Sequence, residues 1–471
     1  MDRESIYRAS PGWLQNVLLN LEAARIWRHR YGRPWRRRVQ QLMGSQSRPR
    51  DERREFQSRH LRKVMKASIA SPYYRELYRA KGIEPDDIRS VEDLVQLPLL
   101  DKSTVREQGD ALMTRPLPQR HWIQGHTSGT TGSPLGLWYD RETCWQTNAV
   151  DQRQKIWAGM AGGDWLGVLL GRVIVPLTQR RPPYWRVNHV HRHVWFSSFH
   201  MSDKNLSHYV SEIRRRGIRY LEGYPSTLYI LANYLSRLGD RLPMEAVFTS
   251  SETLHLMQRE AIETAFECRI FDFYGLAERV AFAGECQSHE GLHLAEEFAY
   301  VEIVNEEGQV VPDGTRGFLV GTSLHNCAMP MIRYRTSDVT AILTDPCPCG
   351  RTLRRIEQIR TKAEDVVVTP DGRMISPSVL THPFKPLESV TKSQIIQEEP
   401  DRIRVRIVSK PASLPYPERS QLIAALCARL GDDMQIEIEE VDDIPPEPSG
   451  KFRWVVSRVP NPVELDWSRL E

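Results

Sequence analysis

The middle of the chain alternates short apolar runs with stretches whose apolar residues recur every three or four positions. The runs "YLEGY" (220–224), "EAVFTS" (245–250) and "CRIFDFYG" (268–275) are typical of buried strands. Helical spacing is found between them, in the leucines that follow position 225 and in "SETLHLMQREAIETAF" (251–266). We expect Ser226 to cap the first helix, and Ser250 or Ser251 to cap the second. This alternation predicts an α/β fold with a mostly parallel sheet.

The predicted strands end in polar segments. "GYPS" (223–226), "TSSE" (249–252) and "FYGLAE" (273–278) each follow or close a strand. Ligands of parallel sheets bind at the carboxyl ends of the strands, so these segments, including Ser251 and Glu252, are expected to face one crevice.

The ends of the chain differ from the middle. Residues 1–100 show mainly helical patterns and form the predicted helical region of a large domain, whose core is expected at 101–360 with mixed and parallel sheets flanked by helices. The strand-like "DRIRVRIVSK", the helical "PERSQLIAALCARLG" and the strand-like "MQIEIEEV" follow, with Gly431 placed to end the helix. They predict a small α+β domain at 361–471, joined to the large one within 358–368.

Composition indicates an ordinary globular protein. Of 471 residues, 40% are hydrophobic and 26% are charged, and the seven cysteines are too few for a secreted disulfide framework. The first residues carry acids and lack a signal-peptide cleavage pattern, so we expect a cytoplasmic location. The net charge of +4 is nearly balanced, and no nucleic-acid partner is expected. Arginine-rich residues 28–63 would most simply form a solvated helical surface, although weak association with a membrane surface is an alternative.

A glycine- and hydroxyl-rich stretch, "HTSGTTGSPLG" (126–136), offers backbone N–H and side-chain O–H groups to phosphate oxygens. It is not a P-loop, because it lacks the lysine and because the following "PLGLWYD" is typical of a strand rather than a helix. The candidate phosphate-binding residues are Thr127, Ser128, Gly129, Thr130, Thr131 and Gly132.

Three further motifs follow this loop in order: "FYGLAE", "MPMIRYRTSD" (329–338) and "PSGK" (448–451). Together they resemble the adenylate-forming ligase superfamily. "EGYPSTL", "TSSETL" and "PCPCGR" are most similar to its phenylacetate–CoA ligase branch, in particular to the capsule-biosynthesis-type proteins. The resemblance implies a large domain with a small, mobile C-terminal lid.

The resemblance also implies a two-step reaction. A carboxylic acid attacks the α-phosphate of ATP, which gives an acyl-adenylate and pyrophosphate, and the acyl group then passes to an acceptor. CoA is the expected acceptor, with an amine or a sugar-linked group as alternatives. Departures from the family pattern at Ser133, Ala277 and Thr361–Lys362 leave open a non-catalytic, scaffolding descendant.

Individual residues take roles from the resemblance. The loop 127–132 would cover the β- and γ-phosphates, and Lys451 would contact the attacking carboxylate and the α-phosphate as a catalytic residue. Glu278, the second catalytic candidate, would hold Mg²⁺. Besides Ser251 and Glu252 at the crevice, the remaining nucleotide-binding candidates are Tyr274, stacked on adenine, Gly275, which allows close approach, Asp338, on the ribose hydroxyls, and Lys362, where the family has an arginine.

Cysteines and a histidine form a candidate metal site. "PCPCG" contributes Cys347 and Cys349, and "ECQSHEGLH" contributes Cys286 with either His289 or His293, of which His293 better matches the family's pattern. Three thiolates and an imidazole suit a closed tetrahedral zinc site, for which we expect a structural role. Reduced cysteines in a turn and in the core are the alternative.

Overall fold

The structure, a computed structural model, describes residues 7, 9–115, 122–126, 135–359, 366–375, 377–384, 386–387, 389–409, 413–445 and 454–459. A ten-stranded mixed sheet forms the centre of the large part. Its strands are β3 (Leu166–Leu169), β4 (Trp185–Asn188), β5 (His193–Phe196), β6 (Tyr220–Gly223), β7 (Ala246–Ser250), β8 (Ile270–Gly275), β9 (Phe282–Gly284), β10 (Leu292–Leu294), β14 (Ile342–Leu343) and β15 (Arg355–Ile356). They follow the order β14-β15-β10-β9-β8-β7-β6-β3-β5-β4, in which β5, β3, β6, β7 and β8 are parallel neighbours.

Helices cover both faces of this sheet, which explains why its parallel strands are nearly continuous apolar runs. Leu221 of β6 packs with helical residues Leu228 and Ile262 on one face, whereas Phe248 of β7 packs with Ala158 on the other. The helices are α1 (Gly12–Arg30), α2 (Gly32–Ser45), α3 (Arg50–Ser68), α4 (Pro72–Lys81), α5 (Lys102–Gln108), α6 (Arg141–Trp157), α7 (Asp203–Arg216), α8 (Pro225–Arg237) and α9 (Leu256–Phe266), with 3₁₀ turns at Pro85–Asp87, Val91–Gln96 and Gly109–Leu112.

The predicted order of strands and helices, β6–α8–β7–α9–β8, is confirmed, but both predicted helix caps are wrong. Tyr224 precedes α8, and the backbone N–H of Ser226 is instead satisfied by the carboxylate of Glu252, 3.1 Å away. Helix α9 begins only after His255. Ser251 instead turns the chain at the end of β7, with a φ of 69°.

Two smaller sheets flank the centre. Strands β1 (Ile123–His126) and β2 (Gly136–Tyr139) pair antiparallel, with His126 opposite Gly136, and so bracket the glycine-rich loop. Strands β11 (Ala299–Val304), β12 (Gly317–Ser323) and β13 (Tyr334–Thr340) form an antiparallel sheet. Within the described ranges, no helix is both long and apolar enough to span a membrane.

The C-terminal part contains the predicted strand–helix–strand unit. Its strands, Arg402–Ser409 and Gln435–Glu440, are parallel, and Gly431 follows the helix with a φ of 102°. The buried guanidinium of Arg373 donates to the backbone oxygens of Phe199 and Leu430, at 2.8 and 2.7 Å, and so links this part to the large one. Its elements are β16 (Val367–Val368), β17 (Met374–Ile375), α10 (Pro377–Leu380), a 3₁₀ turn (His382–Phe384), β18 (Val390–Glu399), β19 (Arg402–Ser409), α11 (Tyr416–Leu430), β20 (Gln435–Glu440) and β21 (Val455–Ser457).

Candidate active site and metal centre

A cavity of about 420 Å³ opens at the carboxyl ends of β7 and β8. Parallel strands bring their carboxyl ends to one edge of the sheet, so the polar segments that follow them meet there. Six residues that the sequence predicts to bind nucleotide or Mg²⁺ line this cavity: Ser251, Glu252, Tyr274, Gly275, Glu278 and Asp338. The structure thus brings these predicted residues together, while their roles stay predictions.

One wall of the cavity is a tyrosine–aspartate pair. The hydroxyl of Tyr274, at the end of β8, donates to Oδ2 of Asp338 on β13 over 2.7 Å. Burial raises the pKa of Asp338, and the Tyr274 hydrogen bond opposes that shift. The tyrosine therefore fixes the position of the carboxylate that is expected to bind ribose.

A second carboxylate, that of Glu278, lies in the same cavity and is 8% exposed. Its Oε1 accepts a hydrogen bond of 2.9 Å from the hydroxyl of Tyr334. Burial raises the pKa of Glu278, whereas this hydrogen bond and the charge of Lys102 lower it. A carboxylate that lines this cavity is suited to a hard cation, which prefers oxygen ligands.

Sequence reasoning missed Lys102 and Tyr334, both of which line the cavity. Burial lowers the pKa of Lys102, and the charge of Glu278 raises it. Tyr334 lies within the "MIRYRTSD" motif, so its place in the same motif as Asp338 could have identified it as a site residue. Lys102, at the first position of α5, lies outside the motifs from which the site residues were taken.

Gly275 is required for a reason that the sequence did not reveal. A Cβ atom there would lie 2.5 Å from ring atoms of Phe282, on the neighbouring antiparallel strand β9. A side chain at this position would displace that ring and with it the end of β8. The glycine thus keeps the cavity wall in place, whether or not a nucleotide approaches it.

Eight of the predicted site residues lie outside the described residues. They are Thr127, Ser128, Gly129, Thr130, Thr131, Gly132, Lys362 and Lys451.

The predicted metal ligands form a separate cluster, and none of them lines this cavity. One ligand atom from each of Cys286, His293, Cys347 and Cys349 lies within 4.8 Å of every other. The Sγ atoms of Cys286 and Cys347 are 3.7 Å apart, and Sγ of Cys349 is 3.3 Å from Nε2 of His293. Ligands 2.0–2.3 Å from a tetrahedral zinc ion lie roughly 3.3–3.8 Å from one another, so the residues fit this metal.

The imidazole of the cluster is oriented by its surroundings. Nδ1 of His293 lies 3.2 Å from the backbone oxygen of Leu353, to which it can donate, and this leaves Nε2 to face the thiols. The ring also meets Trp157 edge-on, with centroids 5.7 Å apart. His289, the alternative ligand, is directed to Glu285 instead, with 3.5 Å between Nδ1 and Oε2.

Known proteins resemble this chain over most of its length. The model of the CapK C-terminal domain family matches residues 367–458. Protein CapK of Staphylococcus aureus is 23% identical over 96% of this chain and 99% of its own length. The phenylacetate-coenzyme A ligase of Aromatoleum evansii is 28% identical over 68% of this chain and 72% of its own. The phenylacetate-coenzyme A ligase of Escherichia coli K12 is 25% identical over 81% of this chain and 88% of its own length.

Among solved structures, 2-hydroxyisobutyryl-CoA ligase in complex with 2-HIB-AMP and CoA has a TM-score of 0.58 at 20% identity, covering 88% of this chain and 91% of its own. This likeness concerns the fold. The matches confirm the predicted fold and the predicted class of enzyme, an adenylate-forming ligase of the AMP-forming acyl-CoA ligase type. They also confirm the predicted resemblance to the phenylacetate–CoA ligases and to CapK.

Proposed function

We propose that the chain joins a carboxylic acid to CoA in two steps at the cavity described above, with ATP as the co-substrate. The observation that carries this proposal is that Tyr274, Asp338 and Glu278 meet on the wall of one cavity at the carboxyl edge of the sheet. Each lies at the position that the resemblance assigns to nucleotide or Mg²⁺ binding. The relatives that are phenylacetate-coenzyme A ligases support the same chemistry.

In the first step, an oxygen of the carboxylate attacks the α-phosphorus of ATP. The new bond is C(=O)O–P, the bond from the α-phosphorus to the bridging oxygen breaks, and pyrophosphate leaves. Both reactants are anions, so the site must offset charge as it aligns them. Lys451 and the donors of 127–132 would do so, and Glu278 would hold Mg²⁺, which neutralises phosphate charge when bound.

The second step transfers the acyl group. The sulfur of CoA attacks the acyl carbonyl carbon, the thiol proton is released, and AMP leaves. The solved structure of 2-hydroxyisobutyryl-CoA ligase with CoA supports CoA as the acceptor. An amine, which would give an amide, and a sugar-linked group are the other acceptors that the resemblance allows.

The cysteine–histidine cluster has a separate role in this proposal. Cys286, His293, Cys347 and Cys349 would hold one zinc ion with all four positions occupied by protein. A closed site leaves no position for a substrate, so its function is to stabilise the fold. The cluster joins the loop after β9, strand β10 and the turn before β15.

Product analysis tests the proposed function. Purified protein is incubated with ATP, Mg²⁺ and a panel of carboxylic acids, with CoA, with hydroxylamine or without an acceptor, and the products are identified by mass spectrometry. We expect AMP and an acyl-CoA thioester in equal amounts with at least one acid. A hydroxamate with hydroxylamine, but no thioester with CoA, would keep the adenylation step and exclude CoA as the acceptor. A protein that binds ATP but forms no AMP with any acid would favour the scaffolding alternative.

A further inference from the structure

Helix α1 presents a ridge of large apolar side chains to solvent. Trp13, Val17 and Leu21 are 69%, 46% and 64% exposed. Residues four positions apart lie on one face of a helix, so the three form a continuous line over two turns. Single exposed apolar residues are common on soluble proteins, but an aligned set is not.

The adjoining side of α1 is held firmly, so the ridge has a fixed direction. Oδ1 of Asn16 accepts from the backbone N–H of Val187, and Nδ2 of Asn20 donates to the backbone oxygen of the same residue, both over 2.8 Å. Oδ1 of Asn20 also accepts from the N–H of His189 over 2.7 Å. These amides bind the outer edge of β4, the last strand of the ten-stranded sheet, and Ala23 is buried on the same side.

Positive charge adjoins the ridge. Arg25 continues the line one turn beyond Leu21, and Arg28 follows on the same side, both exposed. The guanidinium of Arg36, in α2, lies 5.8 Å from the ring centroid of Trp27 and so is held beside the end of α1. Helices α1 and α2 carry three and four arginines, respectively, against a single acid, Glu22, which is paired with Arg25.

We propose that this face, Trp13, Val17 and Leu21 with Arg25, Arg28 and Arg36, docks on the surface of an anionic phospholipid bilayer. An apolar ridge with adjacent arginines matches the two parts of such a surface, the acyl boundary and the negative headgroups. The indole of Trp13 suits the boundary because one side is apolar and its N–H can bond to water or headgroups. The helix would lie in the plane of the interface rather than cross it. This inference is independent of the proposed function.

Vesicle co-sedimentation of the full chain tests the inference. We expect sedimentation with vesicles of phosphatidylcholine and phosphatidylglycerol at low salt, much less with phosphatidylcholine alone, and release at high salt because screening weakens the arginine–headgroup attraction. Leu21→Glu is expected to lower the partition coefficient about tenfold to a hundredfold, as the loss of one buried leucine would. The Arg28→Gln and Arg36→Gln double variant is expected to reduce mainly the preference for anionic vesicles.

Leu238→Glu is the matched control, because Leu238 is 61% exposed at the end of α8, away from the ridge. It is expected to sediment like the wild type, and melting temperatures check that every variant is folded. Two results would overturn the proposal. One is equal sedimentation of wild type and Leu21→Glu. The other is a dimer that Leu21→Glu abolishes in analytical ultracentrifugation and that anionic vesicles do not dissociate, since the ridge would then bind a second copy of the chain.

Discussion

The hydroxyl of Tyr274 donates to the carboxylate of Asp338 across 2.7 Å, although 64 positions separate the two residues in the chain. The bond joins the end of a parallel strand in the central sheet to β13 in the antiparallel sheet. It therefore couples the residue expected to stack on adenine to the residue expected to bind ribose. One side of the proposed nucleotide site is in this way held together by a bond within the protein.

Asp338→Ala is expected to weaken binding of AMP by roughly 10- to 100-fold, because it removes charge-assisted hydrogen bonding worth roughly 1.5–3 kcal/mol in total. Tyr274→Phe keeps the ring and loses only the hydroxyl, so its loss of affinity is expected to be smaller. Isothermal titration calorimetry measures both. An Asp338→Ala protein with wild-type affinity for AMP would reduce Asp338 to a structural residue of β13.

Lys451→Ala is expected to leave ATP binding nearly unchanged but to slow formation of the acyl-adenylate by about two to four orders of magnitude, as for a charge directed at the transition state. Thioester formation from a supplied acyl-adenylate is expected to change much less. The two rates are measured separately, in one reaction that starts from ATP and the acid and in another that starts from the acyl-adenylate and CoA. Lys392→Ala, which removes a lysine paired with Asp443 at 2.8 Å in the C-terminal part, is the control. An unchanged adenylation rate in Lys451→Ala would contradict the assignment.

The local pattern of apolar residues was enough to predict the strands and helices around the site. The helix caps were misplaced, and Lys102 was missed because its place in the cavity depends on contacts between residues that are distant in the sequence. The apolar runs that become β6, β7 and β8 are buried on both faces, so composition alone identified them. The cap predicted at Ser226 failed because α8 already begins at Pro225, and Glu252, 26 positions away, accepts from the N–H of Ser226. The cap predicted at Ser250 or Ser251 failed because α9 begins only after His255. Lys102 reaches the cavity from α5 through tertiary packing, which no local spacing encodes. The motif residues were placed by resemblance, and the structure supplied the Tyr274–Asp338 and Tyr334–Glu278 pairs.

Zinc is expected at one ion per chain in elemental analysis of protein purified without added metal. Cys349→Ser is expected to lose the ion and to lower the melting temperature while adenylation by the folded protein persists, because none of the four ligands lines the cavity. Cys427→Ser, which changes a free cysteine of α11, is the control and is expected to retain the ion. Metal-free protein of normal stability would show that the four residues are an ordinary packed cluster.

Asp272 is expected to make stability depend on pH. Burial and the nearby charge of Glu285 raise the pKa of Asp272 to about 7 in the folded protein, from 3.8. The folded state then binds more protons than the unfolded state between about pH 4 and pH 7, so stability falls as pH rises through this range.

Asp272→Asn is expected to flatten that dependence, since the amide can still accept the 2.6 Å hydrogen bond from the hydroxyl of Thr249 but cannot ionise. Melting temperatures measured across the same range test this, with the exposed Glu260→Gln as the control. An identical pH dependence in wild type and Asp272→Asn would contradict the prediction.

Exchange of labelled pyrophosphate into ATP, measured with Mg²⁺ and a panel of carboxylic acids, tests the central claim most directly, because it reports the reversal of adenylation without any acceptor. We predict exchange that requires both Mg²⁺ and a particular acid, and that falls sharply in Asp338→Ala and in Lys451→Ala. A folded wild-type protein that binds AMP in the cavity but exchanges no pyrophosphate with any acid would contradict the account.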